Sequence, residues 1–189
     1  MPEDKPLGVL NGRVIYDNAP TVCVVAATGM INGEGGVIAV RRVNDPGAGK
    51  IGLPGGFHMR GESWQTGARR ELEEETGFTI DERSLVPTGM ITDEYGHNLI
   101  LAVSDQPAVA LDDAVLDGEA SEVFVLRREH LTPDQWAFPI HLAHAVRAVR
   151  LAERGLSLHE GERVMTNPEE VSGYLSLCEA GGPDDDPGL

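Results

Sequence analysis

The sequence predicts a mixed α/β fold, and three observations carry that expectation. Short runs rich in Val and Ile alternate with Gly-, Asn- and Pro-containing turns, the stretch 64–76 has helical spacing with a start and a stop signal, and a second apolar helical stretch follows the last strand. Strands that both precede and follow helices point to a mixed β-sheet with helices packed on it.

The elements follow in order. Arg13 to Tyr16 reads as a short strand ahead of Asn18-Ala19-Pro20, and Thr21 to Thr28 as a buried strand by its Val and Cys content. Asn32-Gly33-Glu34-Gly35 is a hairpin turn into a strand from Gly36 to Val43. The loop Asn44 to Lys50 contains Gly47-Ala48-Gly49-Lys50, which imitates a phosphate-binding P-loop but lacks that motif's Gly at Asn44 and its Ser or Thr at Ile51. Leu53-Pro54-Gly55-Gly56 ends a short strand in a turn where paired glycines permit positive φ and close approach of a phosphate. Ser63 is placed to N-cap a helix from Trp64 to Thr76, and Gly77 to end it as a left-handed residue with Phe78 as the apolar contact beyond. Trp64, Ala68 and Leu72 recur on its core face, and Arg69 with Glu73 forms an exposed i,i+4 pair. Gly67 costs about 1 kcal/mol relative to alanine inside a helix, so a close neighbour is expected there.

Leu85 to Thr92 and Asn98 to Ser104 read as strands joined by Asp93 to His97, and Glu122 to Leu126 as another. Thr132-Pro133 caps a turn, Pro139 opens a helix from Ile140 to Arg154, and Asn167-Pro168 opens one from Glu169 to Glu179. Residues 1–180 are expected to form a single domain and 181–189, with Asp184, Asp185 and Asp186, an acidic disordered tail.

The chemistry is concentrated in Glu62, Glu71, Glu73, Glu74 and Glu75. A helix places Glu71, Glu74 and Glu75 within a sector roughly 100° wide and turns Glu73 away. Each like-charge pair at that spacing costs about 0.2–0.5 kcal/mol, a repulsion that a divalent cation removes. All-oxygen donors without Cys or His select Mg²⁺, with Mn²⁺ as the substitute, and Mg²⁺ commonly sits between carboxylates and substrate phosphates.

The order Gly56, Glu62, Arg70-Glu71-Leu72, Glu74-Glu75, Gly77-Phe78 resembles the complete Nudix box. The resemblance implies an α/β/α sandwich and metal-dependent hydrolysis of a nucleoside diphosphate linked to another group. It also implies Glu71, Glu74 and Glu75 as metal ligands and catalytic acids, Glu62 as a supporting ligand, and the Gly56 carbonyl as a further one. Arg70 is expected to orient these acids. Glu119, rather than Glu122, is the candidate additional acid or general base. Arg41 and Arg42 are candidate phosphate contacts, and Phe57, Tyr95 and Trp136 candidates for stacking on a base. The stretch GKIGLPGGF and the segment Trp136-Ala137-Phe138-Pro139 look like the NADH and ADP-ribose pyrophosphatase subgroup. Against that, its zinc ribbon has no counterpart here and Ile51 stands where a tryptophan is common; nucleoside triphosphates are the other substrate class. A non-catalytic nucleotide-binding regulatory domain shares the fold. So does a diphosphate isomerase, which needs a catalytic cysteine for which Cys23 is poorly placed.

Bulk properties agree. A net charge of −16 argues against nucleic acid as a partner, and 41% apolar content supplies one core without an apolar run of membrane-spanning length. Cys23 and Cys178 make neither a disulfide framework nor a zinc site, and His141 and His144 share a helix face without a third ligand. A cytoplasmic protein, with the homodimer common in the family, is the expectation.

Overall fold

The protein is described by a computed structural model over residues 6–153. Its strands are β1 (Pro6–Leu10), β2 (Arg13–Tyr16), β3 (Thr21–Ala26), β4 (Thr28–Ile31), β5 (Glu34–Arg42), β6 (Ile51–Gly52) and β7 (Gly55–Phe57), followed by helix α1 (Trp64–Thr76). Then come β8 (Phe78–Thr79), β9 (Leu85–Thr92), β10 (Asn98–Ser104), β11 (Val109–Ala110), β12 (Ala120–Val125) and helix α2 (Pro139–Glu153). One sheet runs β7-β3-β10-β9, with β3 and β10 parallel and the outer pairs antiparallel, which is the expected mixed sheet. A second runs β12-β5-β4 with β6 paired to β5, and β1-β2 and β8-β11 form separate two-stranded pairs.

The architecture is an α/β/α sandwich, because β3, β5 and β10 are buried on both faces. Val24, Ala26, Val37, Ala39, Leu101 and Val103 join one core with α2, while Cys23, Val25, Ile38 and Ala102 join another with Ala68 and Leu72 of α1. The period-2 alternation of strand side chains divides these residues between the two cores.

Helix α1 keeps its expected bounds. Ser63 Oγ accepts the Thr66 N–H at 3.1 Å, and Gly77, at φ 72°, donates its N–H to the Glu73 carbonyl at 2.9 Å. The strands read at 85–92 and 98–104 also match, as does α2 to within a residue. Three readings change. Thr21 to Thr28 is two strands: the chain breaks at Ala27, whose carbonyl accepts the Ile38 N–H at 2.9 Å, and β4 passes to the second sheet. An apolar run buried on both faces carries no period that would mark such a switch. The hairpin turn is only Asn32-Gly33, at φ 52° and 83°, the positive values a two-residue type I′ turn requires at both positions. Trp136 is buried in the α2-side core beside Ile51 and donates its indole N–H to the His130 carbonyl at 2.7 Å, so it is unavailable for stacking on a base. The helix read at 169–179, Cys178 and the acidic tail lie outside the described residues.

His141 and His144 are core residues. His141 Nδ1 accepts the Leu53 N–H at 3.2 Å, which requires a neutral ring, and His144 Nε2 donates to the Ala102 carbonyl at 2.9 Å, a bond that by itself favours the charged form. Burial pushes them down from 6.5, to about 3 for His141 and about 4 for His144. A depressed histidine contributes stability above the unfolded value of 6.5 and loses it as pH falls toward the folded value, because the unfolded chain takes up the proton first. We expect the wild type to lose stability relative to His144→Gln between about pH 6.5 and 4, as measured by denaturant unfolding at each pH. The difference isolates the imidazole from carboxylates that titrate in the same range. A pH-independent gap would contradict it.

Candidate active site

The site begins at the glycine turn. A side chain at Gly55 would place its Cβ 2.3 Å from the Cys23 carbonyl, and one at Gly56 would come within 2.4 Å of Glu71 Oε2. Position 55 therefore requires glycine, because β7 pairs with β3 and the near atoms are backbone, whereas a side chain at Gly56 would displace the Glu71 carboxylate. Gly55 N–H donates to Glu75 Oε2 at 3.2 Å, tying the turn to α1. Past β7 the chain curls so that Met59 N–H donates to Glu62 Oε1 at 2.7 Å and His58 Nε2 to the Glu62 carbonyl at 2.9 Å.

Arg70 organises the acids. Its Nη1 donates to Glu71 Oε1 at 2.7 Å and to Glu74 Oε2 at 2.9 Å. Its Nη2 donates to Glu62 Oε1 and to the Phe57 carbonyl, both at 3.0 Å, and its Nε to Glu62 Oε2 at 3.2 Å. All three guanidinium nitrogens are engaged, and the fork geometry suits carboxylates. Gly67 also finds its neighbour here, since a Cβ there would stand 2.9 Å from Glu62 Oε1.

The four acids that converge on this face sit in unequal surroundings. Arg70 holds Glu62 below the usual carboxylate range. Burial raises Glu71 in spite of Arg70, with the charges of Glu74 and Glu119 adding to the effect. Glu75, only 4% exposed, is pushed up to about 8, first by burial and then by Glu71 and Asp117, while the Gly55 N–H and Arg42 oppose the shift. Glu73 faces away as expected, but in a network rather than as an exposed pair: Arg69 bridges it at 2.7 Å and Glu82 at 2.9 Å, and Thr79 Oγ1 donates to it at 2.5 Å.

The segment 117–119 returns to α1. Asp117 N–H donates to the Glu74 carbonyl at 3.0 Å, Glu119 N–H to Asp117 Oδ1 at 2.8 Å, and Glu119 is exposed. Asp117 is a site neighbour that the sequence reading did not single out, and its only signal was its position two residues before Glu119. Glu122 is occupied elsewhere, paired with Arg41 at 3.0 Å. Arg41 also donates to the Gly49 carbonyl at 3.1 Å, whereas Arg42 lies 5.1 Å over the Phe138 ring and its charge reaches Glu75. Phe57 and Tyr95 are 52% and 56% exposed, at the rim beyond Gly56. Cys23 lies opposite Gly56 in the β3–β7 register, buried, its thiol pushed up to about 11 by burial and by Glu62 and Glu71, so it stays protonated.

As the side chains stand, no group of three or more His, Cys, Asp or Glu among the described residues is arranged around one ion position. Arg70 links Glu62, Glu71 and Glu74 instead. The donor chemistry nevertheless fits a hard divalent cation: every donor is oxygen, three carboxylates share a single guanidinium, and Glu75 lies beside them, bonded to the glycine turn.

Comparison with known proteins bears on the same residues. A family model described as NUDIX domain matches residues 20–138. Over 62 residues the chain is 37% identical to the ADP-ribose pyrophosphatase of Methanocaldococcus jannaschii, a match that covers 33% of this chain and 37% of that protein. The chain therefore spans little more than a third of that relative. A NUDIX hydrolase structure from Nitrosomonas europaea superposes with a TM-score of 0.53 at 18% identity, covering 82% of this chain and 81% of that one. A structure described as ADP compounds hydrolase does so with a TM-score of 0.50 at 18% identity, covering 76% and 77%. Likeness at these identities concerns the fold.

Replacing Arg70 by alanine leaves three carboxylates facing one another without their shared donor. Loss of on the order of 2–3 kcal/mol of stability is expected, less than for a fully buried pair because the network is half-exposed. Millimolar Mg²⁺ should restore more stability to the variant than it adds to the wild type. Thermal unfolding with and without Mg²⁺ checks this, and equal responses would count against a shared acid cluster.

Proposed function

We propose, from the premise that the chain belongs to the Nudix family, that it hydrolyses the diphosphate link of a nucleoside diphosphate joined to another group. ADP-ribose or an NADH-like dinucleotide is the favoured substrate, on the strength of the segment it shares with an ADP-ribose pyrophosphatase. Nucleoside triphosphates are the other class. The observation that carries the reading is the gathering of Glu62, Glu71 and Glu74 around Arg70, with Glu75 bonded to the glycine turn beside them.

Mg²⁺, or Mn²⁺ in its place, would be held by Glu71, Glu74 and Glu75, with Glu62 and the Gly56 carbonyl in support. When bound, the metal supplies neutralisation of the diphosphate charge and a water of lowered pKa. The chain's own residues do the rest. Arg70 fixes the directions in which Glu62, Glu71 and Glu74 present their oxygens, as partners behind metal ligands commonly do. Gly56 allows the backbone to lie against the Glu71 carboxylate, and Gly55 lets β7 pair closely with β3. Glu119, exposed and near enough to Glu71 for its charge to be felt there, is positioned to take the proton of the attacking water. Both arginines donate to a loop carbonyl, Arg41 to Gly49 and Arg42 to Pro46, but Arg41 is also paired with Glu122 while the charge of Arg42 is felt at Glu75, which makes Arg42 the better placed for a phosphate. A homodimer acting in the cytoplasm completes the proposal. Among the described residues no helix is long and apolar enough to cross a membrane.

Incubation with a panel of dinucleotides, nucleotide sugars and triphosphates in Mg²⁺ tests it. The wild type should release a nucleoside monophosphate or diphosphate, and a chelator should abolish release. Glu74→Gln should lower kcat by on the order of 10²-fold or more, because a carboxylate that would hold the metal loses its charge. Tight binding of an intact nucleotide without turnover would favour the regulatory domain instead.

A further inference from the structure

We propose that Phe57, His97 and Tyr95 form a stacking platform for the nucleobase of the substrate. The proposal rests on the hydrolase reading for the identity of the ligand, but it stands on a separate set of contacts. The three rings form a corner: Phe57 meets His97 edge-on at 5.5 Å between centroids and 89° between planes, and Tyr95 stacks on His97 at 6.1 Å and 29°, so a base stacked on one face can meet the other ring edge-on. The two outer rings are more than half exposed. The chain has only four Phe, three Tyr and two Trp, so two neighbouring exposed aromatics at the rim of one site are a large share of its π surface.

The backbone that carries the rings is held at both ends. Asp93 Oδ1 accepts the Tyr95 N–H at 2.9 Å and the His97 N–H at 2.8 Å, and Asp93 Oδ2 accepts from His97 Nδ1 at 3.2 Å. The Asp93 N–H returns to the His97 carbonyl at 3.0 Å, closing the turn around Gly96 at φ 83°. Asp93 is thus a positioning residue for two rings. At the other end, Phe57 pairs with Val22 of β3, and its carbonyl accepts from the same Arg70 that links Glu62, Glu71 and Glu74. Rings already ordered in the free protein lose little freedom when a ligand stacks on them.

Charge argues in the same direction. In a chain of net charge −16, general electrostatic attraction does not draw in an anionic nucleotide. A planar heteroaromatic ring gains affinity by stacking, which tolerates every base because each has a π-face. A ligand with its ring on the platform and its phosphates toward Gly56 and the acids satisfies both halves of the site.

The test compares AMP with ribose 5-phosphate, which carries the same phosphate and lacks the base, by NMR titration in Mg²⁺ at millimolar ligand. The wild type should prefer AMP by about tenfold or more, the size of one stacking contact. Phe57→Ala and Tyr95→Ala should bring the ratio toward one, Asp93→Ala should reduce it, and Tyr95→Phe, which keeps the ring, should preserve it. Circular dichroism confirms that each variant is folded, as the exposure of both rings leads one to expect. Equal binding of the two ligands, failure of AMP to bind, or alanine variants with an unchanged ratio would overturn the proposal. So would variants that convert a dimer to monomers at constant ratio, since the rings would then be a subunit contact. A wild type that prefers AMP but cleaves no diphosphate would sink the hydrolase reading and leave the platform standing.

Discussion

The structure around α1 depends on one guanidinium. Arg70 sits where Glu62, Glu71 and Glu74 would otherwise confront each other, and it reaches all three while also bonding the Phe57 carbonyl. Without it, like charges one turn apart would work against the helix at the place where its geometry matters most. The remaining support for α1 is apolar and local: Ala68 and Leu72 are fully buried, Ser63 caps the start and Gly77 the end. The acids can therefore be crowded because the helix does not rely on them for its stability.

Four glutamates within five residues end up in three environments. Glu73 is satisfied by Arg69 and Thr79, Glu71 and Glu74 share Arg70, and Glu75 is buried with the Gly55 N–H. The difference is rotational: successive positions on a helix face the neighbouring loop, the glycine turn or solvent. A cation that takes up Glu71 or Glu74 competes with Arg70 for the same oxygens. The bonds of Arg70 to Glu62 and to Phe57 do not involve those oxygens, so the guanidinium keeps an anchor during such an exchange.

What was legible in the sequence is what local physics decides. The bounds of α1 follow from Ser63, Gly77 and a 3.6-residue apolar period, and β9 and β10 from alternation around a polar turn. The tight neighbour of Gly67 was foreseeable because glycine inside a helix is costly without one. What was not legible is decided by tertiary contact. The division of the Thr21–Thr28 run between two sheets depends on which strands lie beside it, and β1, exposed along its length, shows no burial pattern to read. Trp136 looks like any aromatic in a loop until Ile51 and the His130 carbonyl are seen around it. Arg41 and Glu122 lie far apart in the chain and meet only because β12 pairs with β5, and Asp117 approaches α1 through a backbone bond that no side-chain pattern announces.

The glycine turn shows how fold and site are joined. Gly55 is required by the sheet, since a Cβ there would meet the backbone of β3, while the Cα of Gly56 leaves room for the Glu71 carboxylate to lie against it. Adjacent residues thus answer to different masters, one to β3–β7 pairing and the other to the carboxylate cluster. A side chain at Gly55 would push β7 off β3, and one at Gly56 would displace the carboxylate of Glu71. Arg70, bonded to the Phe57 carbonyl as well as to three acids, ties the strand that carries this ring to the acid cluster.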